Sequence, residues 1–131
     1  MHVLRTDDCV VAISTPAGRS PRGILRVTGP AAVALCASCF CPNDLRPLPG
    51  QPAWQLIAGW LRLEPELSVP CNAVVFLPPR SYTGQPLVEL HLAGSPALLE
   101  MALRTLADHG ARLAEPGEFT ARAFLTGRMD L

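Results

Sequence analysis

At 131 residues, with hydrophobic residues at 49% and charged residues at 17%, the chain has the length of one domain and a composition far from that of disordered polypeptides. Acidic and basic residues cancel at 11 each, so no net positive field draws the chain onto nucleic acid or an anionic membrane, and an RNA role needs a local patch or a partner. All the basic residues are arginines, which excludes a P-loop lysine, a Schiff-base lysine and a lysine general base; the chain by itself is not expected to be an NTPase.

The start, "MHVLRTDDCVVAIS", has no long apolar run behind a basic head, and no window reaches the roughly 18 apolar residues of a membrane span, so a cytosolic chain is expected. "CVVAIS" (9–14) is a short β-branched strand that runs into "TPAGRSPRG", a loop rich in Pro and Gly. In "GILRVTG", period two puts Ile24, Arg26 and Thr28 on one face and Leu25 and Val27 on the other. Pro30 at a first-turn position and the alanines behind it predict a helix of about three turns over "PAAVALCASCF". "CPNDLRPLPGQP" then reads as a proline-rich surface connection. The stretches "AWQLIAGWLRL" and "SVPCNAVVFLPP", split by the turn-like "EPELS", look like paired strands.

After the loop "PRSYTGQP", the segment "LVELHLAG" alternates: Val88, Leu90 and Leu92 face one way, and Leu87, Glu89 and His91 the other. Ser95 as N-cap and Pro96 behind it start a helix whose apolar stripe is Leu99, Ala102, Leu103 and Leu106, stopped by Gly110. A last short helix runs from about Glu118 to Thr126, with Gly127 as its stop and Asp130 in the position of an N-cap that has no helix after it. This order of strands and helices predicts an α+β fold in a single domain over 1–131, without internal repeats.

Arg26 and Glu89 are charges set inside predicted strands, where an unpaired buried charge costs several kcal/mol. On one reading they pair with each other or both faces are solvated; on the other they line a pocket whose ligand satisfies them. His91 shares the face of Glu89 but has no second histidine or nucleophile near it in sequence, so no catalytic role is assigned to it, nor to His2 or His109. The five cysteines, three of them in "CASCFC", are expected as reduced thiols. Cys36 and Cys39 fit core packing on one side of a helix better than a zinc site, since Cys9 and Cys71 supply no second ligand pair of the usual spacing.

Three blocks, "TPAGRSPRGILRVTGP", "RSYTGQPLVELHLAG" and "AEPGEFTARAFLTGRMDL", resemble in order and spacing the N-terminal domain of the tRNA-modification GTPases called MnmE or TrmE. The resemblance implies a folate-binding unit of type β2-α-β3-α, similar to half of the folate domain of aminomethyltransferases. It implies a homodimer with 5-formyl-tetrahydrofolate near the dimer interface, supplied as one-carbon donor for modification of the wobble uridine of tRNA together with the flavoprotein MnmG. It places GTP, potassium and magnesium in a GTPase domain outside this chain, and no catalysis within it. Its folate contacts match Arg26, Glu89 and Arg128, the last standing where the family has lysine. A carboxylate such as Glu89 suits a pterin edge, whose ring N–H and exocyclic amine form a fork of two parallel donors. The chain departs from the family at "HLAGS", where the family often has "HCHGG", and at Arg80, where "RSYTG" replaces "NSYTG". In the same resemblance Asp130 and Leu131 lead into a helical domain, so the ending reads as a domain boundary. The rival readings are a structural dimerisation module without folate affinity, an aminomethyltransferase half-domain and, more distantly, a zinc module.

Overall fold

The structure, a computed structural model, describes residues 4–14 and 21–127. Most of the loop "TPAGRSPRG", together with His2, Arg128 and the cap-like Asp130, therefore lies outside the described residues. The elements in chain order are β1 (Val10–Ile13), β2 (Arg22–Thr28), α1 (Ala32–Ala37), β3 (Phe40–Pro42), β4 (Ile57–Glu64), β5 (Leu67–Phe76), β6 (Leu87–Ala93), α2 (Pro96–Asp108), β7 (Arg112–Leu113) and α3 (Glu118–Leu125). The strands form one mixed sheet in the order β3-β4-β5-β6-β2-β1-β7, with β1 and β7 parallel and the other neighbours antiparallel. This is the expected α+β class.

The alternation read in β2 and β6 is realised as two faces of the sheet. Leu25 and Val27 point with Val88, Leu90 and Leu92 into a core shared with Cys71, Ala73 and Leu61. Helices α1 and α2 cover that face through Ala32 and Cys36, and through Leu99, Ala102 and Leu106. Leu25, Leu90 and Leu106 are wholly buried, and each such leucine contributes about 1.5–3 kcal/mol relative to exposure. The close seat of α2 on the sheet requires Gly23, because a Cβ there would lie 2.5 Å from Leu99 Cδ2.

α2 begins as its sequence dictates, with the Ser95 hydroxyl accepting from the Leu98 N–H and Pro96 at the first position. Its stripe differs by one residue from expectation. Leu103 is only partly covered, and Thr105 takes the inner place, donating its hydroxyl to the carbonyls of Leu63 and Met101. α1 is shorter than its alanine-rich sequence predicts. The chain is drawn out of the helix by strand pairing: Phe40 sits opposite Leu61, and the Arg62 N–H donates to the Cys39 carbonyl. Pro70 is tolerated inside β5 because β6 pairs only with Asn72–Phe76, leaving the stretch around Pro70 without that neighbour.

No helix among the described residues is long and apolar enough to cross a membrane. Cys36 and Cys39 are core residues, as their spacing suggests, whereas Cys41 is exposed on β3. Among the described residues no group of three or more His, Cys, Asp or Glu side chains is placed to hold a metal ion.

Candidate functional site

The sheet face opposite α1 and α2 carries the charges set inside the strands. Antiparallel register puts Arg26 directly across from Glu89, and Ile24 across from His91. The Arg26 Nε donates to Glu89 Oε2 at 2.9 Å, and His91 Nε2 lies 3.0 Å from Glu89 Oε1. A carboxylate oxygen only accepts, so Nε2 carries the shared proton, and Glu89 is held from both sides. Side-chain exposure is 13% for Glu89 and 14% for His91 against 41% for Arg26. The carboxylate thus lies low and the guanidinium rises from the sheet beside it.

The two readings of these charges turn out to be compatible. Arg26 and Glu89 pair with each other, and both line a cleft of about 390 Å3. Each Glu89 oxygen is engaged by one protein donor and keeps a second lone pair, and the Arg26 terminal amino groups have no partner among the described residues. The site therefore retains two acceptor positions and two donor groups facing a hollow.

Aromatic residues that sequence reasoning left without a role form the cleft's walls. Trp54, Phe76 and Tyr82 line it together with Leu87 and Arg80. The Trp54 and Phe76 rings meet edge to face with centroids 5.0 Å apart, and the Arg80 guanidinium stands over the Trp54 ring at 4.9 Å. Trp54 has φ 67, a left-handed conformation that a bulky side chain rarely adopts, and its N–H donates to the Val75 carbonyl at 2.9 Å. Nothing in "QPAWQLIAG" signals that bend, because it is set by where the chain must turn to enter β4. The "RSYTG" motif was the available signal for Arg80 and Tyr82.

The loop that carries Arg80 and Tyr82 is fastened from beneath by α3. The Tyr82 hydroxyl lies 2.9 Å from Thr120 Oγ1, Thr126 Oγ1 donates to the Thr83 carbonyl at 2.6 Å, and Arg122 donates to Gln85 Oε1 at 3.2 Å. On the sheet side, Thr83 Oγ1 meets Thr28 Oγ1 at 2.7 Å. Gly84 at φ 74 completes the turn, and a Cβ there would strike the Thr126 side chain.

Arg122 is fully buried and pairs with Asp8 and Glu118, and Glu118 also takes a two-pronged contact from Arg112, at 2.7 and 3.0 Å. The Arg112 hydrogen bond, reinforced by Arg122, holds the Asp8 carboxyl below its ordinary range. For Glu118, burial pushes the pKa up, but the Arg112 hydrogen bonds, the Glu115 N–H and both guanidiniums outweigh it and the net shift is downward.

Of the three contacts expected from sequence, Arg26 and Glu89 are brought together in the cleft, and Arg128 lies outside the described residues. His91, given no role from sequence, is found holding the Glu89 carboxylate.

Fold and cleft together define an α+β domain with a charged, aromatic-walled hollow on the open face of its sheet. Comparison with known proteins gives the class a family. Residues 9–128 match the family described as GTP-binding protein TrmE N-terminus, and the chain belongs to it. It is 40% identical over 128 residues to the tRNA modification GTPase MnmE of Carboxydothermus hydrogenoformans, covering 95% of this chain and 28% of that protein. It is 42% identical over 125 residues to the protein of that name from Salinibacter ruber, covering 95% and 26%, and 39% identical over 128 residues to that of Nitratidesulfovibrio vulgaris, covering 98% and 28%. The chain thus spans little more than a quarter of the length of the curated relatives it matches.

Proposed function

We propose that this domain binds 5-formyl-tetrahydrofolate in the cleft, as the one-carbon donor for wobble-uridine modification of tRNA, and pairs with a second copy of itself. The observation that carries this reading is Glu89: a nearly buried carboxylate, oriented by Arg26 and His91, with an accepting lone pair left on each oxygen. Such a group fits the donor fork of a pterin, and the neighbouring aromatic rings supply faces for a flat heterocycle. A hollow of about 390 Å3 suits a bicyclic head with its tail directed outward. Arg128 is the third proposed contact.

Folate binding, homodimerisation, action with MnmG on tRNA in the cytoplasm, and the absence of catalysis in this part all belong to the proposal. GTP with potassium and magnesium would be handled by a GTPase domain of the kind named in the relatives. Calorimetric titration with 5-formyl-tetrahydrofolate is the test. Binding by the unmodified protein and its loss in Glu89→Ala are expected; no heat from the unmodified protein, or equal binding by both, overturns the pterin assignment. A dimerisation module without folate affinity is the second reading, favoured by the fact that Arg26 and Glu89 satisfy each other without a ligand. It predicts a dimer by light scattering and no heat.

A further inference from the structure

Among the described residues three charged side chains line the cleft: Arg26, Glu89 and Arg80. Arg26 and Glu89 neutralise each other at 2.9 Å, which leaves Arg80 as the uncompensated cation. Among the described residues no carboxylate pairs with it, and its guanidinium stands over the Trp54 ring. We propose that Arg80 is the subsite for the anionic tail of the ligand, so that this domain discriminates folates by their carboxylates and favours tails extended by further glutamates. The inference rests on the folate reading above and adds to it the residue that takes the tail.

The geometry suits that task. A guanidinium over an indole is attracted by the ring's charge distribution and spends no N–H donor on it, and the Arg80 donors make no hydrogen bond among the described residues, so they stay available for a carboxylate. The indole beneath is itself fixed, by its backbone hydrogen bond to Val75, by the edge contact with Phe76 and by the left-handed backbone at φ 67. A bulky residue kept in that conformation is strained, and such strain persists where the surrounding structure over-determines it. Arg80 is thus a solvent-facing cation on a rigid platform at the mouth of the hollow, whereas Glu89 sits at its floor. A ligand with a flat donor-edged head and a carboxylate tail spans these two groups in that order.

The competing account is structural: Arg80 stiffens the loop by stacking on Trp54 and meets no ligand. Calorimetry with three probes separates the two, namely 5-formyl-tetrahydrofolate, its triglutamate form and a 5-formyl-tetrahydropterin without the tail. Arg80→Ala and Arg80→Asn are expected to weaken the monoglutamate about fivefold, the upper value for an ion pair at an exposed site. They should weaken the triglutamate more and leave the tail-less pterin unchanged, and raised salt should reproduce the pattern in the unmodified protein. Arg80→Lys should recover part of the preference.

Equal loss for all three probes supports loop stiffening and overturns the inference, as does unchanged binding of all three by Arg80→Ala. Either result leaves the folate reading standing. No heat from the unmodified protein with any probe removes both together.

Discussion

Glu89 is the residue on which the site turns, and its two neighbours act on it differently. Arg26 balances its charge, and His91 fixes the second oxygen from the same strand. His91→Ala should leave the Glu89 carboxylate freer to rotate, so the proposed folate affinity should fall about tenfold, the value of one hydrogen bond to a charged group. Calorimetry should show that loss alongside a melting temperature changed far less than by a core substitution. Arg26→Ala removes the cation beside a carboxylate that is largely out of water, and both affinity and stability should drop. Arg26 and Glu89 were legible because period two in "GILRVTG" and "LVELHL" gives their face without any knowledge of the register. The hold of His91 on Glu89 follows from the same period, since residues two apart on a strand share a face. Trp54 was not legible, because its left-handed turn depends on Val75, a residue whose strand it meets only in the folded chain.

At the scale of elements, α3 is both a clamp and a foundation. Its inner face places Arg122 and Glu118 under the sheet end at Asp8, while Thr120 and Thr126 grip the loop that carries Tyr82. Arg122→Met should destabilise the domain by about 3–5 kcal/mol, because it leaves Asp8 and Glu118 with reduced compensation in a buried setting; urea unfolding followed by circular dichroism measures it. Both carboxyls have pKa values depressed by folding, so the stability they contribute is present above their unfolded values and is lost as pH falls through the folded ones. Urea midpoints should therefore hold between pH 7 and 5 and drop below about pH 4, and Arg122→Met should flatten that acid limb. Gly84→Ala should cost about 2 kcal/mol and loosen the Tyr82 wall, because the added Cβ meets Thr126 at a positive φ. The helices were visible in sequence through their caps and stripes. Their partners were not: "GEFTARAFL" shows an amphipathic turn with two arginines and a glutamate, and only folding brings Asp8 to it.

Across the whole molecule, the covered face of the sheet is a common store of apolar surface that buries four of the five thiols. Burial pushes Cys39 up to about 11 and Cys71 up to about 12, and raises Cys36 well above the ordinary thiol range. A thiol reagent at pH 8 should therefore label Cys41 alone in the native protein and all five cysteines in urea, counted by mass spectrometry. A second native-state label located at Cys39 would show that the β3 edge opens.

The α+β class, the two faces of β2 and β6, the capped α2 and membership in the TrmE N-terminal family were determined by local pattern, since alternation, capping and motif order are properties of neighbouring residues. The length of α1, the inner place of Thr105, the aromatic walls and the charged cluster under α3 were decided by the tertiary structure. Each depends on residues far apart in the chain being brought within hydrogen-bond or packing distance, and neither propensity nor periodicity encodes that separation.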